Sequence, residues 1–205
     1  MELPSELINN AVNELSKLPG IGKKSALRLV LHLLKQPIQS SDNLGQAIIN
    51  LRRNIQFCKI CFNVADETVC SICNNKNRNQ QLICVVENIR DVFAIEKTNQ
   101  YKGVYHVLGG VISPMDGIGP EQLKIGELIS RIKENAVEEI IMALNPTMEG
   151  DTTIFYISQK VESLKVKVTT LARGVAFGGD LEYVDELTLA RSIVTRTNYE
   201  KYLVQ

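Results

Sequence analysis

Leu7, Ile8, Val12 and Leu15 recur at helical spacing and predict a helix over residues 5–17. Ala26, Leu27, Val30, Leu33 and Leu34 repeat the pattern from Lys23 to Lys35, and Leu18-Pro19-Gly20-Ile21-Gly22 breaks the two apart. A third helix, capped by Ser41 or Asp42 and running to about Ile55, would turn Leu44, Ile48 and Leu51 inward. Arg52 and Arg53 fall near its C-terminal end, where they either complement the helix dipole or extend the basic face toward the cysteine-rich segment that follows. The polar stretch 74–81 (NNKNRNQQ) reads as a linker.

From Leu82 the pattern changes. The continuous apolar run LICVVE predicts a buried parallel strand ending in Glu87, and EEIIMALN (residues 138–145) predicts another. Helices are expected over 88–98, 120–134 and 152–164, with a short strand near 105–108 and a last strand VKVTTLA. Leu123, Ile125, Leu128, Ile129 and Ile132 supply the apolar positions of the second of these helices. Strand alternating with helix gives a mainly parallel sheet covered on both faces, with ligand chemistry at the carboxyl ends of its strands. Gly174 and Gly178-Gly179 then set turns, and Asp180 is placed to cap a final helix bearing Leu181, Val184, Leu187, Ala190 and Ile193 or Val194. Arg191 and Arg196 on that stretch are expected to be solvated.

The spacing Cys58-x2-Cys61-x8-Cys70-x2-Cys73 adds a metal module between these regions. Two close Cys-x-x-Cys pairs can each bend around one ion, and four thiolates fill the tetrahedral preference of Zn²⁺ without leaving an open position. Such a site is structural. Two disulfides would suit a secreted chain, but MELPSELINN has neither a basic n-region nor an apolar h-region. A thioredoxin-like site uses one pair rather than two in tandem, and an iron–sulfur centre is the remaining use of four thiolates. Cys84, inside LICVVE, reads as a core residue.

Helix, L-P-G-I-G, helix is the signature of a helix-hairpin-helix. Gly20 and Gly22 allow a tight turn and close backbone approach. The amides at Gly22, Lys23 and Lys24 then open the second helix, where an anion is favoured, and Lys17 and Arg28 add positive charge. This arrangement holds a DNA phosphate without reading bases. The plain alternative is a helical hairpin with solvated lysines. Gly22-Lys23-Lys24-Ser25 is not a Walker A loop, because position 17 is lysine and a helix precedes it.

Glu87 ends one predicted strand, and Glu149-Gly150-Asp151 follows another. Carboxylates at strand ends could share Mg²⁺. Alternatively they are solvated loop acids, with Asp151 capping a helix that starts at Thr152. His32 reads as a packed or rim residue on a leucine-rich helix, and His106 sits in a strand without a recognisable partner. No nucleophile or base stands out beside the acids.

The 205 residues carry no net formal charge, but the distribution is uneven. Residues 1–80 hold ten Lys+Arg against six Asp+Glu, and residues 81–205 hold thirteen against seventeen. A basic front and an acidic back suggest two different partners. No apolar run reaches the length of a membrane span, so a soluble cytoplasmic protein is expected.

With LPGIGKKSA, a four-cysteine knuckle, VVEN, NPTMEGDTT and LARGVAFGGDLEYVDELTLARSI in that order, the chain resembles the bacterial RecR family of recombination mediators over essentially its whole length. The resemblance implies a helix-hairpin-helix over 1–56, a zinc finger and linker over 57–80, a Toprim domain over 81–176 and a C-terminal helical segment for oligomerisation over 177–205. It implies a non-enzymatic, nucleoid-associated repair protein that binds DNA without sequence preference. With RecO and RecF it would help RecA replace single-strand-binding protein at gaps. By position, Gly20, Gly22, Lys23, Lys24 and Arg28 match the family's DNA-binding hairpin, and the four cysteines its zinc ligands. Glu87, Glu149 and Asp151 match its acidic Toprim positions, associated with partner contact more than with phosphoryl transfer. Glu149 stands where metal-using Toprim enzymes usually carry aspartate. Dimers and ring tetramers that surround DNA are expected. The competing readings are a small Mg²⁺-dependent Toprim nuclease and a zinc-stapled adaptor without a DNA site of its own.

Overall fold

The computed structural model describes residues 5–198. The contacts divide the chain into two compact units, Met1–Gln56 and Phe57–Gln205.

In the first unit, helix α1 (Glu6–Ser16) starts at Ser5, whose hydroxyl accepts from the Ile8 N–H. Gly20 turns the chain in the left-handed region at φ +79°, and the Ile21 N–H donates to the Leu18 carbonyl. Gly22 then opens α2 (Lys23–Leu33). Val12, Ala26 and Val30 are the buried centre of this helical hairpin, flanked by Ile8, Leu15, Ile21 and Leu27. Leu7 and Leu34, expected on the inner stripes, are instead exposed. Helix α3 (Ile38–Asn54) differs more from expectation. It begins after Pro37, so Ser41 and Asp42 are interior to it, and none of its residues is buried. Leu44, Ile48 and Leu51, expected to face inward, are exposed among the described residues.

A small ribbon of β1 (Gln56–Phe57), at the boundary between the units, and β2 (Val64–Ala65) is followed by the single turn α4 (Ser71–Asn74). Next come β3 (Asn79–Val86), α5 (Ile89–Lys97), β4 (Gly103–Val107), α6 (Ile125–Glu134), β5 (Glu139–Ala143), α7 (Met148–Val161), β6 (Lys167–Thr170) and α8 (Glu186–Val194). The four long strands form one sheet in the order β4-β3-β5-β6, all parallel. Side chains alternate between two cores, as strand geometry requires. Ile83, Val85, Ile140 and Met142 pack with Leu128 and Ile132 of α6 and Ile157 and Val161 of α7. Cys84, Val86, Tyr105 and Val107 face the other way, onto Val92 of α5 and onto Phe62 and Ile72 of the cysteine module.

Two sequence expectations change here. Of the segment 74–81, expected as the linker to the next domain, Asn79–Gln81 already belong to β3, and Arg78 is pinned. Arg78 makes a two-pronged pair with Glu96 (2.5 and 2.9 Å) and also donates to the Tyr101 and Gly103 carbonyls. Asp180 does not cap the final helix. Asp185 does, accepting from the Thr188 N–H, while Asp180 precedes a short 3-10 turn over Leu181–Tyr183. Among the described residues no helix is long and apolar enough to cross a membrane.

Candidate metal centre and nucleic-acid interface

The knuckle is shaped by local hydrogen bonds. The Cys58 N–H donates to the Asn63 carbonyl and the Phe62 N–H returns to the Cys58 carbonyl, with Phe62 held in the left-handed region at φ +62°. A bulky residue adopts that conformation only under constraint. At the other arm Cys70 caps α4, its sulfur accepting from the Cys73 N–H at 3.4 Å. The four sulfurs thereby lie within 4.8 Å of one another, three of the residues buried and Cys73 half-buried. None of the five cysteines forms a disulfide, and Cys61 Sγ and Cys70 Sγ lie in hydrogen-bond contact at 3.5 Å. Hydrogen bonds with Cys61 and Cys73 hold the Cys70 thiol down to about 2, while the hydrogen bond with Cys70 raises Cys61 to about 12 and those with Cys61 and Cys70 raise Cys73. Four thiols so close cannot all ionise unless a cation joins them. The donor set and its closure fit Zn²⁺, which would cross-link the two arms rather than perform chemistry.

On the hairpin, Gly22 is the N-cap of α2 and has no side chain to satisfy the first-turn amides. Lys23, Lys24 and Arg28 are exposed around that end. Lys17 differs: its ammonium pairs with Glu14 at 2.6 Å on the surface, so its charge is partly neutralised. His32 is exposed, a rim residue.

The acidic residues are placed less simply. Glu87, just past β3, accepts from the Asn145 amide at 2.9 Å. Helix α7 begins at Met148 with Thr147 as its cap, so Asp151 lies in the first turn and does not cap a helix starting at Thr152. Asp151 instead receives both prongs of Arg173, at 2.5 and 3.0 Å, and this guanidinium holds its carboxyl below the usual range. Glu149, in the same turn, is exposed. Among the described residues only the four cysteines lie close enough together to share an ion; Glu87, Glu149 and Asp151 do not. Sequence reasoning missed Arg173. The available signal was its position just after a strand end, where ligand chemistry collects. A cleft of about 780 Å³ opens here, lined by Asp91, Asn145, Thr147, Asp151, Arg173 and Arg191 among others.

The remaining titratable candidates belong to the fold. His106 is buried, its Nε2 2.7 Å from the Lys124 carbonyl oxygen and its ring edge-on to Phe62, and burial lowers its pKa to about 4. Burial raises Cys84 to about 12.

Four family models cover the chain in order: RecR helix-hairpin-helix over residues 8–52, RecR four-cysteine zinc finger over 55–75, Toprim domain over 81–172 and RecR C-terminal over 174–197. A recombination protein RecR of Cytophaga hutchinsonii is 57% identical over 201 residues, 98% of each chain. The chain belongs to the RecR family. The RecR proteins of Flavobacterium johnsoniae (57% over 201 residues, 98% of each chain) and Bacteroides thetaiotaomicron (55% over 196 residues, 96% of each) agree. The RecR zinc-finger match falls on the cysteine quartet, so Cys58, Cys61, Cys70 and Cys73 form a structural zinc site. The RecR hairpin match spans Gly20 to Arg28, and the Toprim match ends one residue before Arg173.

Proposed function

We propose that this protein is a non-enzymatic mediator of recombinational DNA repair that binds DNA through its hairpin without reading sequence. The observation that carries this reading is the glycine-capped start of α2 with Lys23, Lys24 and Arg28 exposed around it, in a chain of the RecR family. Uncapped amides at a helix N-terminus and flanking cations suit phosphate oxygens. The mediator works with RecO and RecF to place RecA on single-stranded gaps in the bacterial cytoplasm, at the nucleoid. Glu87, Glu149 and Asp151 serve partner contact. Supporting this, Asp151 is already neutralised by Arg173 and the three carboxylates are not gathered around one point. The uncovered apolar stripe of α3 supports a homo-oligomer, a dimer or a ring of four.

The test is DNA affinity against salt for wild type and Lys23→Glu/Lys24→Glu, with mass by light scattering on the same samples. Salt-sensitive binding that collapses in the variant at unchanged mass is the expected result. Equal binding by both proteins moves the DNA contact off the hairpin, and no binding by either moves the protein to the adaptor class. Cleavage of DNA in Mg²⁺ or Mn²⁺, abolished by Glu87→Gln, would instead make it a nuclease.

A further inference from the structure

No acidic residue lies between Glu14 and Asp42, so the whole of α2 and the turns on both sides of it carry positive charge only. Lys24, Arg28, His32 and Lys35 follow one another at intervals of four, four and three. At 100° per residue they share one side of the helix. The Leu34 N–H donates to the Val30 carbonyl and the Lys35 N–H to the His32 carbonyl, so the helical path continues to Lys35 after α2 ends. All four side chains are exposed, and no carboxylate among the described residues pairs with Lys24, Arg28 or Lys35. Together with Leu27 and Leu31 they line a shallow groove of about 460 Å³ along the helix.

We infer that DNA contact does not stop at the hairpin turn but continues along this groove, with His32 and Lys35 holding phosphates beyond those at Lys24 and Arg28. From Lys24 to Lys35 the stripe is about 16 Å long at 1.5 Å per residue, long enough to follow several consecutive phosphates of one strand. Lysine and arginine neutralise phosphate, the imidazole offers a ring N–H to a phosphate oxygen, and Leu31 gives the sugar edge an apolar floor. Compensation of the helix dipole would account for cations near the C-terminal end of α2. It would not require them to fall on the same side as Lys24 and Arg28.

The inference rests on the DNA-binding reading above, so the experiment separates the two. Affinity for single-stranded and duplex oligonucleotides is measured across a salt series with the full-length, zinc-loaded protein. The proteins are wild type, Lys35→Gln, His32→Gln and Lys23→Glu/Lys24→Glu, with helicity and mass checked for each. Lys35→Gln is expected to weaken binding about tenfold at low salt and to reduce the slope of log affinity against log salt by about 0.7–0.9, one phosphate's share. His32→Gln is expected to weaken binding several-fold. If both single variants bind like wild type while Lys23→Glu/Lys24→Glu loses DNA, the track ends at the hairpin and the inference is overturned while the function stands. A Lys35→Gln loss with an unchanged salt slope also overturns it, since no phosphate contact was removed. If Lys23→Glu/Lys24→Glu binds as wild type does, the DNA-binding reading fails and the track with it.

Discussion

Arg173, three residues past β6, closes both guanidinium prongs on Asp151 in the first turn of α7. The pair spans 22 residues and joins the acidic end of the sheet to the segment leading into α8. Asp151 remains 46% exposed, so water screens the attraction. Arg173→Ala should therefore cost only about 1 kcal/mol of global stability by urea unfolding. The larger effect is local, with faster hydrogen exchange in α8. Asp151 titrates below the usual carboxylate range when folded, so the pair's contribution is present at pH 7 and is lost only as pH falls through that lowered value. A wild-type-minus-variant difference that already vanished at pH 6 would contradict the assignment.

Arg78 and Glu96 form the more costly pair to break. Their side chains are only 16% and 27% exposed, and Glu96 also accepts from the Tyr105 hydroxyl at 2.7 Å. Arg78→Met leaves the carboxylate without its cation and frees the Tyr101 and Gly103 carbonyls that Arg78 serves. We expect a loss of about 3 kcal/mol in urea denaturation, as for other buried pairs cut on one side. Lysine should not restore it, because one ammonium cannot reproduce the planar fork. A variant within 0.5 kcal/mol of wild type, the range of a neutral surface change, would show that the network is ornamental.

What was legible in the sequence was what is local or periodic. Two Cys-x-x-Cys pairs close over so few residues that spacing alone foretold their gathering, and LICVVE and EEIIMALN could hardly be anything but central strands. The start of α3 is hidden because Ser41 and Asp42 offer attractive caps, whereas Pro37 with its fixed φ begins the helix earlier. Its inward face was misjudged for a deeper reason. An amphipathic stripe shows that something must cover Leu44, Ile48 and Leu51, but not that the same chain does so. Arg78–Glu96 and Asp151–Arg173 lie 18 and 22 residues apart and leave no trace in periodicity. Only the folded sheet brings them together.

Gly150 is required by the start of α7. A Cβ there would run into the Asn145 backbone carbonyl, which cannot swing aside as a side chain would. Gly150→Ala should lower stability by about 2 kcal/mol or more through displacement of the Asn145–Thr147 turn. Gly126, exposed in α6 with nothing within 4 Å of where a Cβ would sit, is the control. Gly126→Ala should stabilise by about 0.4–1 kcal/mol by restricting the unfolded chain. Chemical denaturation of the two variants side by side decides the matter, and equal behaviour would refute the steric account.

Zinc removal should be felt beyond the knuckle. The Val107 N–H at the end of β4 donates to the Cys61 carbonyl at 2.8 Å, and Phe62 and Ile72 cover the sheet face of Cys84 and Tyr105. Without the ion the cysteine arms lose their cross-link, since structural zinc supplies folding free energy directly. Their unfolding uncovers that face. The face under α6 and α7 keeps its own core, so the chain should loosen rather than unfold. We expect one zinc per chain by elemental analysis. Chelation or Cys61→Ser should lower the midpoint of thermal unfolding, since the binding free energy of structural zinc is folding free energy. Hydrogen exchange gives the sharper check. The Val107 amide should lose protection on chelation while the β5 amides, between two strands, keep theirs. Protection lost equally at both positions would mean that the knuckle and the sheet unfold as one unit.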